Sequence, residues 1–162
     1  IRNRKILVKI PAGVDNGSII SIRGEGESGE KGGPSGDLYV YISVKEDSVF
    51  KRQGDNIYLD IPITFTEAAL GAEIEVPTLE GVQKYKIPAG TQTGTEFKLK
   101  NMGVPHLKSV GKGDLYFKVN VKVPIKLTER QKELLREFSM ASGEEIKEHK
   151  KGFFNKVKDA FQ

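Results

Sequence analysis

The sequence predicts a mainly β protein: two tandem copies of one β-rich unit, with a short helix in the second, followed by an α-helical tail. Three observations carry this. Apolar residues recur at period two in several stretches before Val123, the spacing of strands with one packed face. A set of motifs repeats at a constant offset of 77 positions. Beyond Thr128 the apolar spacing becomes helical behind a helix-start signal.

Taken in chain order, Ile6, Val8 and Ile10 alternate with Leu7 and Lys9 and read as a strand, followed by a glycine-bearing turn at Asp15-Asn16-Gly17. Residues 24–36 hold six glycines and Pro34. Gly24-Glu25-Gly26-Glu27-Ser28-Gly29 has the spacing of a dinucleotide fingerprint, but more glycine and a proline follow where a helix is required, and Glu25 and Glu27 repel phosphate. A connection between strands is the expectation. Leu38, Val40, Ile42 and Val44 alternate with Tyr39, Tyr41 and Ser43. The stretch 57–63 is a further strand, in which Pro62 predicts an edge position or a bulge. Thr66 to Gly71 reads as a short capped helical turn closed by glycine. Tyr85-Lys86-Ile87 is a strand, and Leu115, Phe117, Val119, Val121 and Val123 form the longest alternation.

The tail opens with Thr128-Glu129-Arg130-Gln131, a capping box. Leu134, Leu135 and Phe138 form an apolar stripe, Ser139 to Gly143 breaks it, and Phe153, Phe154, Val157 and Phe161 then share one helical face. Either the chain's own β unit or a second subunit can cover such faces.

The repeat fixes a register. Ile10-Pro11-Ala12-Gly13 returns as Ile87-Pro88-Ala89-Gly90, and Gly36-Asp37-Leu38-Tyr39 as Gly113-Asp114-Leu115-Tyr116; Gly17 and Gly94, Gly26 and Gly103, and Val44 and Val121 obey the same offset of 77. The second copy has an opening section, about residues 57–81, whose counterpart in the first would precede residue 1. That, with the opening at Ile1-Arg2-Asn3-Arg4, predicts a piece of a longer chain.

Composition narrows the function. The 162 residues contain no cysteine and two histidines, His106 and His149, which excludes disulfides, thiol chemistry and cysteine-ligated metals; both histidines read as solvated surface residues. No apolar run is long enough for a membrane-spanning helix. Net charge is +4, distributed as −3 over residues 1–76, +6 over 77–127 and +1 over 128–162. The basic middle is all lysine, and Lys98, Lys100, Lys118 and Lys122 alternate with apolar residues as on the wet face of a strand. Nucleic acid is therefore disfavoured as a partner. Asp37 and Asp114, repeated in both copies, read as turn residues rather than a catalytic pair.

These residues resemble the DnaJ family. Lys5 to Gly17, Gly33 to Val40, Ala68 to Gly71, Val76 to Gly81, Ile87 to Gln92 and the closing Phe153-Phe154-Asn155-Lys156-Val157-Lys158 carry the likeness, in the family's order. The resemblance implies two tandem β-sandwich-like C-terminal domains followed by a helical dimerisation segment. Residues 1–50 would be the later part of the first, client-binding domain, 51–126 the complete second domain and 127–162 the dimerisation helices. It implies a cytoplasmic co-chaperone region, without enzymatic activity, that holds unfolded client polypeptides by strand addition over an apolar groove for delivery to a DnaK-type chaperone. By motif match Ile6 and Val40 fall on groove positions, and Val8, Leu38 and Ile42 share their strand faces; the alternative for each is core packing. Leu134, Leu135, Phe138, Phe153, Phe154, Val157 and Phe161 would form the homodimer contact. No cofactor is expected in these residues, since the family's zinc belongs to a cysteine-rich insert and DnaK stimulation to a J domain whose His-Pro-Asp triplet does not occur here. The rival function is a β-rich module for carbohydrate or nucleic acid.

Overall fold

A computed structural model of the chain describes residues 5–144. The chain divides into two compact units, the first ending at Val123 and the second starting at Pro124.

The first unit carries eight strands. β1 (Ile19–Ile22) and β2 (Leu38–Tyr41) form an antiparallel two-stranded ribbon. β3 (Lys51–Gln53), β4 (Asn56–Thr64), β7 (Glu96–Leu99) and β8 (Leu115–Lys122) form a four-stranded sheet in the order β3-β4-β8-β7. Between β4 and β7 lie α1 (Phe65–Leu70) and the antiparallel hairpin of β5 (Ala72–Thr78) and β6 (Gly81–Ile87). β4 and β8 are parallel, so the intervening helix and hairpin constitute the crossover that parallel strands require.

The alternations bury one face of this sheet. Ile57, Leu59, Ile61 and Ile63 of β4 and Leu115, Phe117 and Val119 of β8 meet Ile74, Val76 and Ile87 of the hairpin and Ala68 of α1. Phe117 is the largest side chain wholly out of solvent, and Tyr85 and Phe97 lie edge-on and stacked against it at centroid distances of 5.0 and 5.4 Å. Burial of each such side chain contributes about 1.5–3 kcal/mol. This is a sandwich of one sheet against a hairpin and a helical turn.

The two copies superimpose hydrogen bond by hydrogen bond. Gly26 N–H donates to Gly36 O at 2.8 Å, and Gly103 N–H to Gly113 O at 2.8 Å. Ile42 N–H reaches Ser18 O and Val119 N–H reaches Thr95 O; Val44 N–H meets Asn16 Oδ1 and Val121 N–H meets Thr93 Oγ1. The Asp37 carboxylate accepts from Gly24 N–H at 3.1 Å and the Asp114 carboxylate from Asn101 N–H at 2.9 Å. Even the left-handed backbone of Gly24 (φ +70°) is kept at Asn101 (φ +58°).

Three expectations are corrected. Residues 5–10 form no strand. Their repeat counterpart is the stretch 82–87 of β6, which is paired to β5 along its length, and no described strand stands where a β5 counterpart would. Pro62 is not on an edge strand, because β4 lies inside the sheet. Ile57 N–H donates to Asp114 O, so the odd-numbered amides of β4 face β8 and position 62 faces the other way, past the end of β3, where no amide is needed. The helical turn starts earlier than Thr66: Thr64 is the cap, its hydroxyl accepting from Glu67 N–H while the Glu67 carboxylate accepts from Thr64 N–H.

In the second unit, α2 (Glu129–Ala141) starts at the expected box, with Thr128 Oγ1 accepting from Gln131 N–H and Gln131 Oε1 from Thr128 N–H. The helix runs through Ser139 to Ala141 rather than breaking at Ser139, and Gly143 (φ +74°) follows it. Ser139 is buried, its hydroxyl donating to Glu144 O at 2.8 Å.

Candidate functional site

The β1–β2 ribbon has two unlike faces. The register pairs Ile20 with Val40 and Ile22 with Leu38, so these four side chains share one half-buried face, which Ile42 extends. The opposite face carries Ile19, Tyr39 and Tyr41, all exposed. Ile6 and Val8 are half-buried on the unpaired segment, whereas Leu7 is 98% and Ile10 58% exposed. The five groove candidates thus divide into three on one strand face and two on a separate segment.

The two edges of β2 differ. Ile42 both donates to Ser18 O and accepts from Gly17 N–H, so the even-numbered residues of β2 turn their peptide groups toward β1. Those of Tyr39, Tyr41 and Ser43 turn outward, where no described strand pairs with them. In the second copy the equivalent edge of β8 is occupied by β4, and the equivalents of Leu38, Val40 and Ile42, namely Leu115, Phe117 and Val119, have no solvent exposure. Among the described residues the first ribbon presents a half-buried apolar face, and the place that β4 takes in the second copy falls before residue 1 in the first.

The other expected contacts fall as follows. On α2, Leu134, Leu135 and Phe138 are 47, 39 and 55% exposed, a stripe of partly open apolar surface. Phe153, Phe154, Val157, Phe161 and His149 lie outside the described residues. Asp37 and Asp114 act as turn anchors, as their repetition implied. Lys98, Lys100, Lys118 and Lys122 are exposed, with Lys98 3.7 Å from Asp114 and 5.9 Å from the centre of the Tyr116 ring. Among the described residues no cluster of three or more His, Asp or Glu stands ready for a metal. His106 is not a solvated histidine: its Nδ1 lies 2.7 Å from Asp55 Oδ2, and about a third of its side chain is exposed. No local pattern announces that pair, since its members are 51 residues apart.

The family model for the DnaJ C terminal domain matches residues 1–124, and that for the chaperone protein DnaJ C-terminal region matches 130–162. The chain belongs to the DnaJ C-terminal family. Among its DnaJ relatives, the chaperone protein DnaJ of Acetivibrio thermocellus is 62% identical over 98% of this chain and 41% of its own length. That of Ruminiclostridium cellulolyticum is 58% identical over 98% and 42%, and that of Methanothermobacter thermautotrophicus 59% over 96% and 41%. The chain thus spans about two-fifths of the length of these DnaJ proteins.

Proposed function

We propose that these residues form the client-binding and dimerisation region of a DnaJ-type co-chaperone, a binding module rather than an enzyme. Residues 1–50 belong to the client-binding β unit, 51–126 to the second β unit and 127–162 to the pairing helices. The observation that carries this reading is the half-buried apolar face of Leu38, Val40 and Ile42 within a chain that the DnaJ C-terminal models match over residues 1–124 and 130–162. An unfolded segment adding there gains main-chain hydrogen bonds whatever its sequence, while the apolar face favours exposed hydrophobic side chains. Ile6 and Val8, half-buried on the unpaired segment, complete the groove in this reading. The relatives' name, chaperone protein DnaJ, supports a chaperone role; the reading takes a DnaK-type protein as the receiving partner and the cytoplasm as the compartment. Zinc belongs to the longer protein's cysteine-rich insert. Leu134, Leu135 and Phe138, with the apolar residues after 152, supply the contact between two copies.

Capture of a fluorescently labelled, permanently unfolded polypeptide tests the groove. Val40→Asp is expected to weaken capture at least about tenfold, roughly 1.4 kcal/mol, while the amides of Ile20, Ile42 and Val119 keep their exchange protection. Loss of protection at Ile20 and Ile42 would instead make Val40 a core wall, as its counterpart Phe117 is. Salt should change capture little; a steep loss with salt would favour the phosphate-binding alternative. Light scattering on the chain ended at Val123 is expected to show monomers, and persistent dimers would remove the pairing role from residues 127–162.

A further inference from the structure

Among the described residues the two β copies meet around Arg52. Arg52 of β3 donates from all three guanidinium nitrogens to main-chain oxygens: Nε to Gly54 O at 2.7 Å, Nη1 to Val14 O at 2.6 Å and Nη2 to Gly13 O at 2.9 Å. Gly54 lies in the β3–β4 turn of the second copy, whereas Gly13 and Val14 belong to the Ile-Pro-Ala-Gly turn of the first. Only 21% of the Arg52 side chain is exposed. Asp15 and Asp55 stand 3.9 and 3.7 Å from its Nη2, and the other oxygen of Asp55 pairs with His106. The loop that carries His106 returns to the first copy: a Cβ placed on Gly13 would collide with the carbonyl oxygen of Pro105.

The repeat contains its own control. Gly90 occupies the same place in the second Ile-Pro-Ala-Gly turn, with φ +78° against +86° at Gly13. Around Gly90 a Cβ would meet nothing within 4 Å. The same turn is therefore free in one copy and pressed against a neighbouring unit in the other.

We infer that Arg52, seated on the Gly13 turn and backed by Asp55 and His106, is the pin of a fixed joint that holds the two β units at one angle. Small polar contacts between domains ordinarily permit relative motion. This one resists it because a planar fork spans two carbonyls of one unit and one of the other, so rotation breaks several charge-assisted bonds together. Lysine would supply a single ammonium in place of the fork. The joint stands on these contacts alone and does not depend on the client-binding reading. Its consequence is that whatever the first unit holds is presented at a set distance from the second.

The chain has no cysteine, so Ser21→Cys and Gln83→Cys, on exposed strand positions of the first and second β copies, accept spin labels without interference. Pulsed electron resonance on the labelled 162-residue chain is expected to give one narrow distance peak. Arg52→Ala should abolish that peak in favour of a broad distribution, and Arg52→Lys should broaden it less. Gly13→Ala should broaden or shift it, whereas Gly90→Ala, which carries the same left-handed backbone penalty, should leave it as in the parent. Exchange protection at Phe117 and Val119 confirms that each variant keeps the second β copy folded. The glycine pair decides the matter even if Arg52→Ala unfolds the chain. A broad distribution in the parent, or a Gly13→Ala variant that keeps the parent's peak position and width, would overturn the joint.

Discussion

Asp114 holds the amide of Asn101, thirteen residues back, at a position where Asn101 takes up a left-handed backbone. Asp114→Ala leaves that amide without its acceptor and should cost about 1–2 kcal/mol, read as a lower denaturant midpoint. Asn101→Gly should change stability by less than about 0.5 kcal/mol, because glycine suits that backbone and already fills the repeat position at Gly24. Asp47 makes a similar local anchor, its carboxylate accepting from the amides of Phe50 and Val49 at 3.0 and 2.8 Å. The Phe50 bond first, then that of Val49, holds its pKa below the usual aspartate value. A carboxyl depressed in the folded state stabilises fully above its unfolded value and loses that contribution as pH falls through the lowered one. Amide shifts of Val49 and Phe50 should therefore stay constant through neutral pH and move together only in acid. The turn role of Asp37 and Asp114 was legible because both copies carry it. The pairing of His106 with Asp55 was not, since it depends on two loops meeting across the fold.

Elements were legible where their partners are local or their start signals are explicit. The Thr128–Gln131 box is a purely local device, and Thr128→Ala is expected to remove about 1 kcal/mol of α2 stability, visible as lower helical ellipticity and earlier melting of that segment. Thr64 and Thr66 both have the residue type of a cap at the start of α1, and only Thr64 has the acidic side chain three residues on. Residues 5–10 have the alternation of a strand, but alternation reports a face and not a neighbour. Pro62 shows the converse: its missing amide can be read from the residue type, while the direction it faces is set by the parallel pairing with β8.

Across the described residues the two copies share a register, and β4 flanks β8 in the second while its place in the first falls before residue 1. Phe117 and Val119 lie between flanking strands under a hairpin, whereas Val40 and Ile42 lie in a two-stranded ribbon, and such ribbons are marginal by themselves. Hydrogen exchange should therefore find the amides of Val40 and Ile42 opening faster than those of Phe117 and Val119; equal protection would mean that the first ribbon has a cover of its own. The parallel pairing of β4 with β8 carries a further consequence, for biosynthesis. Ile57 must wait for Leu115, and Ile63 for Val121, before the sheet can close. On a translating ribosome β4 emerges first, its flank toward β8 unsatisfied until more than fifty further residues have been added. A region that belongs to a family named for chaperones thus passes through a stage in which its own nascent strand needs shelter.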